Sequence, residues 1–147
     1  MTARTAAVAL AALTLTAACA TAPPAPDIKI SDAYVRMPSS PDVTAAYLAV
    51  RNNGTAADRL TRVTTADAQE VQIHRMANGG HGMTMRRVSA LPIPAHHTTR
   101  LTPGGIHLML IRPRGLHPGH ALRLTFTFAT SGRITVTAWV SGPGATG

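Results

Sequence analysis

Turn-forming residues recur along this chain at intervals too short for long helices, and this spacing constrains the fold more than any other feature. Between the turns lie short runs rich in Val, Ile, Leu and Thr, and the run Ala121–Ala129 places Leu122, Leu124, Phe126 and Phe128 on one face. The turn signals are Pro38 to Pro41, Asn53-Gly54, Gly79-Gly80, Pro103-Gly104-Gly105, Pro118-Gly119 and Ser131-Gly132. The predicted strands are Ile28–Met37, Thr44–Asn52, Arg59–Thr65, Glu70–Met76, Met83–Ser89, Thr98–Thr102, Ile106–Arg112, Ala121–Ala129 and Arg133–Val140. The pattern predicts an all-β sandwich or barrel.

The first segment, residues 1–19, is predicted to be an export signal with a lipobox-like end. Its apolar run is too short and too rich in Thr to span a membrane, and it ends in small residues. The sequence L-T-A-A-C resembles the lipobox of bacterial lipoproteins, in which the cysteine, here Cys19, becomes the lipidated first residue, although Thr16 replaces the usual Leu. Ordinary cleavage near Ala18 or Ala20 is the alternative. Either route places the domain outside the cytoplasm.

The remaining chain divides into a tether, one domain and a tail. Residues 20–27 are rich in Pro and Ala and predict a semi-rigid tether. Residues 28–140 form the predicted β domain, and residues 141–147 form a tail of small residues that we expect to be flexible. The chain therefore carries one domain, and we expect a monomer.

Charge and cysteine content exclude several classes of function. The formal net charge is +8, but the arginines are scattered and few aromatics accompany them, which disfavours nucleic-acid binding. Scattered positive charge better suits an acidic protein partner or an anionic membrane surface. The one cysteine is Cys19, so the mature domain has neither a disulfide nor a thiolate metal ligand. Acidic residues number six, with no activated nucleophile evident, and we therefore expect no enzyme.

A spaced set of histidines and methionines is the candidate functional site. Ten residues separate His74 from Met85, 21 separate Met85 from His107, and one separates His107 from Met109. Imidazole and thioether without thiolate or carboxylate suit Cu(I), and the imidazoles could also bind Cu(II). Zinc sites use Cys, His and carboxylate rather than Met, and a blue-copper site would need a cysteine ligand. We therefore predict a copper site at these four residues.

A hairpin at Gly79-Gly80 would place several of these side chains together. The facing pairs it predicts are Asn78 with His81, Met76 with Met83, and His74 with Met85. All six would share one face, since each step along a strand is two residues. Met76 and Met83 are either auxiliary ligands or rim packing, and His81 is either a turn residue or an auxiliary ligand. The remaining candidates are read as exposed loop or turn residues (His96, His97, His117 and His120) and as local packing (Met37).

The four-residue spacing resembles the motif H-x10-M-x21-H-x-M of the periplasmic PCu(A)C copper chaperones, without a gap. Flanking blocks also resemble that family, and the similarity covers roughly residues 28 to 140. The blocks are Ala33-Tyr34-Val35-Arg36, Ala46-Tyr47-Leu48 with Arg51-Asn52, Val71-Gln72-Ile73-His74, and the run Pro103 to Leu110. The resemblance implies a cupredoxin-like Greek-key β-barrel or sandwich of about eight or nine strands. It also implies one Cu(I) held by His74, Met85, His107 and Met109. A lipid anchor would distinguish this chain from a freely diffusing member.

The resemblance implies a copper chaperone that delivers Cu(I) towards the CuA centre of cytochrome c oxidase, often with a Sco-type thioredoxin-like partner. Two alternatives remain: a copper-buffering or resistance protein without a specific recipient, and a non-metal β-sandwich binding module. We further predict that arginines near the site steer an acidic acceptor, with side chains pointing mostly away from the ligand face or lying at its edge. The alternative is that these arginines only keep the exported domain soluble. They are Arg75, Arg86, Arg87, Arg112 and Arg114.

Overall fold

The computed structural model describes residues 22–79 and 82–142. The predicted export signal, Cys19, His81 and most of the predicted tail lie outside these ranges. The strands are β1 (Ile28–Arg36), β2 (Val43–Asn52), β3 (Asp58–Thr64), β4 (Ala68–Gly79), β5 (Gly82–Val88), β6 (Leu91–Ile93), β7 (His97–Leu101), β8 (Ile106–Pro113), β9 (Ala121–Phe128) and β10 (Gly132–Ser141). Within the described ranges, no helix has both the length and the apolar character needed to cross a membrane.

Seven of the strands close into a barrel. The neighbours run β4-β8-β2-β1-β10-β9-β3, and the pairing of Val63 with Val71 returns β3 to β4. Strands β1 and β10 pair in parallel, whereas the other pairings of described strands are antiparallel. Strand β5 extends the sheet from β4, β6 extends it from β3, and β7 pairs with β2. The prediction of an all-β, cupredoxin-like barrel is confirmed.

The strand count exceeds the prediction by one, because β6 was missed. Its middle residue is Pro92, which argues against a central strand but is tolerated at a sheet edge. Strand β6 ends the sheet beside β3, and its flanking residues Leu91 and Ile93 are both buried in the core. Burial of these two side chains therefore favours a short strand here, although Pro92 had argued against a strand in the sequence.

Alternation along β4 and β8 separates the barrel core from the site. Ile73, Leu108 and Leu110 are buried among the core side chains. Successive residues of a strand point to opposite faces. His74 follows the buried Ile73 in β4, so its side chain points away from that core. The same alternation directs Met109 outward from β8. The barrel wall thus presents His74, His107 and Met109 on its outer face, and Met85 lies on β5, the edge strand beside it.

The buried side chain of Asn52 fixes the chain segment that precedes β1. Asn52 is fully buried, and its side chain accepts hydrogen bonds from the backbone of Asp27 and Gly54. Backbone N–H groups of Asn53 and Thr55 also donate to the carbonyls of Asp27 and Ala25. The last residues before β1 are therefore fixed to the β2–β3 connection.

Candidate metal centre

The predicted register of the β4–β5 hairpin is wrong by two residues. His74 pairs with Arg87, Met76 with Met85, and Asn78 with Met83, and the last pair is Gly79 with Gly82. The sequence G-G-H-G offers more than one glycine-containing turn, and Gly82 takes a φ of 115°, a conformation that favours glycine. A shift of two residues preserves the faces of both strands. The ligand face therefore stands as predicted, although the facing pairs differ.

His74 and His107 are brought together by the pairing of β4 with β8, which the sequence did not predict. They are directly opposed across the two strands, and their ring centroids lie 5.9 Å apart with planes inclined by 47°. Opposed side chains on one face of an antiparallel pair are in mutual reach. Two predicted ligands that are 33 positions apart in the chain thus meet on one surface.

A tight turn and a backbone carbonyl fix the orientation of His107. Residues Thr102 to Gly105 form a turn in which the N–H of Gly105 donates to the carbonyl of Thr102, and Gly104 takes a φ of 76°. The carbonyl of Gly105 accepts from the N–H of Met76 and lies 3.3 Å from His107 Nδ1. His107 is only 5% exposed, and its ring packs 6.4 Å from that of Tyr47. The ring is therefore held before any ligand arrives.

Four thioethers line the same surface depression as His107. Its lining includes Met76, Met85 and Met109 from three different strands, and Met37 from the chain that follows β1. Met109 stands across from Ala45, whose small side chain leaves the depression open. His74 does not line this depression but borders it through its contact with His107.

The two methionines of β5 differ in place and exposure. Met85 faces Met76 and lines the depression, yet it remains 45% exposed. Met83 is 56% exposed and lies nearer the turn, opposite Asn78. Met37, interpreted as local packing, does pack against the core, but it also lines the depression. Its position at the end of β1 gave no periodic signal by which the sequence could have placed it there.

Hydrogen bonding and burial set the protonation of the His74 imidazole. Its Nε2 lies 2.8 Å from the side-chain oxygen of Gln72, and its Nδ1 is buried without a hydrogen-bond partner among the described residues. Burial lowers the pKa of His74, and the nearby His107 and Arg87 charges lower it further. A neutral imidazole with one unshared nitrogen lone pair is the form that binds a metal ion. The residues present therefore fit a soft cation.

The described residues contain no group of three or more His, Cys, Asp or Glu side chains suited to a metal ion. Among the described residues, the methionines that line the depression are the candidates for the other donors of a centre at His74 and His107. His117 and His120 flank the turn at Pro118-Gly119 as predicted, with ring centroids 5.1 Å apart. They lie in the β8–β9 connection, apart from the residues that border the depression.

The arginines near the site differ in their contacts and in the face on which they lie. Arg87 donates to Glu70 at 2.8 Å and shares the face of His74, at the edge strand. Arg112 donates to the side chain of Gln69. Arg75 and Arg86 are directly opposed across β4 and β5, and both are exposed on the face opposite to the ligands. Arg75 and Arg86 therefore place exposed positive charge on the hairpin.

Comparisons with known proteins agree with this architecture. The family described as "Putative lipoprotein LpqE-like" matches residues 28–140. The chain belongs to this LpqE-like, PCuAC-type family. A curated relative from Leifsonia xyli subsp. xyli (strain CTCB07), "Putative lipoprotein Lxx21020", is 31% identical over 104 residues. That alignment covers 69% of this chain and 62% of the relative, so the chain spans less than two thirds of that protein's length.

Two solved structures of PCuAC type resemble this member of the family. A copper-bound PCuAC domain from PmoF2 shares 30% identity with a TM-score of 0.68, covering 79% of this chain and 93% of that domain. The solution structure of CuI-DR1885 from Deinococcus radiodurans shares 30% identity with a TM-score of 0.60, covering 86% and 84%. The resemblance inferred from the His and Met spacing is confirmed at the level of the family.

Proposed function

We propose that this PCuAC-type protein is an exported copper chaperone that binds one Cu(I) through His74, Met85, His107 and Met109. The observation that carries the proposal is the 5.9 Å approach of His74 and His107 beside a depression bordered by Met85 and Met109. Imidazole nitrogen and thioether sulfur are neutral donors that favour Cu(I). The solved relatives that contain copper support the same cargo.

The auxiliary candidates separate by position. Met76 faces Met85 and lines the depression, so we assign it an auxiliary thioether role during entry or release of the ion. Met83 is exposed and lies nearer the turn of the β4–β5 hairpin, and we assign it to packing at the rim of the site. His81 lies outside the described residues and stays an auxiliary candidate from the sequence alone.

We propose that the recipient is an acidic protein of the cytochrome c oxidase assembly route, either the subunit that carries CuA or a Sco-type chaperone. Exposed Arg75 and Arg86 beside the ligand hairpin support an acidic partner.

The lipoprotein descriptions of the family and of the Leifsonia relative support export and a lipid at Cys19. Such an anchor would hold the carrier at the outer face of the cytoplasmic membrane. Mass spectrometry of the mature N-terminus tests this, and an unacylated chain beginning after Ala20 would refute lipidation.

Anaerobic Cu(I) titration against a competing chelator tests the ligand assignment. We expect one ion per chain, and marked weakening in His107→Ala and Met109→Leu. The second substitution conserves side-chain volume while removing the sulfur. His97→Ala is the matched control, because His97 is an exposed imidazole at the start of β7. Unchanged affinity in both ligand variants would refute the assignment.

Transfer of the bound ion separates a chaperone from a buffer. The Cu(I)-loaded protein is mixed with an apo-CuA domain or an apo-Sco-type protein, and the metal is followed after separation. Movement of copper to either acceptor faster than its spontaneous release into chelator supports delivery. Transfer no faster than that release would instead favour copper buffering.

A further inference from the structure

We infer that Gln72, Glu70 and Arg87 form a hydrogen-bonded relay that fixes the tautomer and orientation of His74. Through this relay His74 presents Nδ1 as its metal-binding atom, whereas His107 presents Nε2. The inference rests on the proposed function for its consequence in copper binding. The tautomer of His74, however, is a property of the protein without copper and can be measured independently.

The relay begins with an acceptor that fixes the amide of Gln72. Arg87 donates to Glu70 Oε1 at 2.8 Å, which holds this carboxylate in place. The other oxygen of Glu70 accepts from Gln72 Nε2 at 3.0 Å. An ionised carboxylate can only accept hydrogen bonds, so the NH₂ group of Gln72 must point towards Glu70. The side-chain oxygen of Gln72 must then point the other way.

That oxygen determines which nitrogen of His74 carries the proton. Gln72 Oε1 lies 2.8 Å from His74 Nε2. Because the amide oxygen can only accept, Nε2 must donate and therefore bears the hydrogen in the neutral ring. The lone pair is left on Nδ1, which is buried and has no partner among the described residues. An unpaired buried acceptor is costly unless it has a ligand.

His107 reaches the opposite arrangement through a different acceptor. Its Nδ1 lies 3.3 Å from the carbonyl of Gly105, which can only accept, so Nδ1 carries the hydrogen and Nε2 carries the lone pair. The two opposed rings thus carry their lone pairs on different nitrogens. Partners of this kind are a recurrent means of orienting metal-binding histidines.

The strand geometry explains why these four side chains meet. Glu70, Gln72 and His74 are alternate residues of β4 and share its outer face, and Arg87 is directly opposite His74 on β5. The Arg87–Glu70 ion pair is exposed, with side-chain exposures of 60% and 45%. An exposed pair adds little to folding stability. Gln72, Glu70 and Arg87 therefore act as positioning residues for His74 and contribute little to the stability of the barrel.

Nitrogen-15 NMR of the protein without copper tests the relay. At mildly alkaline pH, where imidazole is neutral, long-range couplings report which nitrogen of each histidine is protonated. We expect the Nε2–H tautomer for His74 in the parent and a mixture of tautomers in Gln72→Leu. The matched control is Gln69→Leu, the same substitution on the same strand, because Gln69 contacts Arg112 and not a histidine. This control should leave the His74 signals unchanged.

Cu(I) affinity measured on the same variants tests the consequence. Gln72→Leu should weaken binding by about 10- to 100-fold, the usual effect of removing a partner of a metal ligand. Glu70→Gln should give a smaller loss of Cu(I) affinity, since the side chain of Gln72 would remain but its amide group would be free to flip. Both variants should keep the melting temperature of the parent to within a few degrees, since the relay is exposed.

The outcomes separate this inference from the proposed function. A parent His74 in the Nδ1–H form, or a Gln72→Leu variant with unchanged tautomer, would overturn the relay. A shifted tautomer with unchanged Cu(I) affinity would overturn its positioning role in copper binding. If the parent fails to bind Cu(I), the proposed function is wrong, while the NMR result still decides the tautomer.

Discussion

Replacing Asp58 by Asn should destabilise the barrel without touching the candidate copper site. Asp58 begins β3 and is only 4% exposed. One of its oxygens accepts from the N–H groups of Arg59 (2.7 Å) and Thr130 (2.9 Å). The other accepts from the N–H (2.9 Å) and hydroxyl (2.6 Å) of Ser131. The carboxylate thus joins β3 to the turn between β9 and β10.

The cost of Asp58→Asn follows from the bonds that the amide cannot make. Its oxygen can still accept from Arg59 and Thr130, but its NH₂ group faces Ser131. The Ser131 hydroxyl can rotate to accept, whereas the Ser131 N–H loses its acceptor. An unsatisfied buried donor costs about 1–3 kcal/mol, and bonds to a charged acceptor exceed those to a neutral one. We expect a loss of about 2–3 kcal/mol, or about 8–12 °C in melting temperature for a domain of this size.

The stability difference between the parent and Asp58→Asn should decrease as the pH falls. Burial raises the pKa of Asp58, but the hydrogen bonds from Ser131, Arg59 and Thr130 outweigh it and leave the pKa below its ordinary value of 3.8. A carboxylate with a lowered folded-state pKa contributes stability above the unfolded value, and this contribution is lost as pH falls through the folded value. The stability difference between parent and Asp58→Asn should therefore be constant near neutral pH and shrink below about pH 3.8.

Urea unfolding of both proteins between neutral and acidic pH measures this difference. Cu(I) affinity of folded Asp58→Asn should equal that of the parent, because β3 carries none of the candidate ligands. A stability loss below about 0.5 kcal/mol at neutral pH would show that the four hydrogen bonds are not worth what their geometry implies. A difference that stayed constant at low pH would refute the role of the charge.

Three further predictions concern the hairpin and the N-terminal segment. Met85→Leu should weaken Cu(I) binding in a chelator competition while Met83→Leu should not, since only the first of these side chains lines the depression; equal losses would contradict this. Arg86→Glu should slow copper transfer to an acidic acceptor most strongly at low ionic strength, and an equal effect across salt concentrations would rule out steering. Gly54→Ala should lower the melting temperature, since its Cβ would lie 2.2 Å from the carbonyl oxygen of Ala25; an unchanged melting temperature would show that this segment shifts freely.

The all-β class and the ligand face could be predicted from the sequence because both depend on local alternation. Period-two patterns such as that of residues 122–128 identify strands, and spacing by two keeps His107 and Met109 on one face whatever strand lies beside them. The pairing of His74 with His107 could not be predicted in this way, because strand neighbours are set by the packing of the whole barrel. The sequence spacing establishes which residues share a face, and tertiary structure decides which of them meet.

The hairpin register shows a second limit of local reasoning. Three glycines in G-G-H-G permit turns one or more residues apart, and alternation cannot choose between registers that differ by two. The role of Gln72 was missed for a related reason. A glutamine beside a candidate ligand carries no periodic signal, although its spacing of two residues from both Glu70 and His74 places all three on one face. Polar residues two positions from a predicted ligand therefore merit inspection as orienting partners.

The proposed ligands differ in how firmly the fold holds them, and this difference bears on release. His107 is buried beneath Tyr47 and tied to the carbonyl of Gly105, whereas Met85 is 45% exposed on an edge strand. A partner can reach the exposed thioether without opening the barrel, because its side of the site faces solvent. We therefore expect ligand exchange with an acceptor to begin at Met85, while His107 and Met109 keep hold of the ion until a new ligand is in place. An ion held in this way is retained against water yet open to a partner, which a carrier requires and a buffer does not.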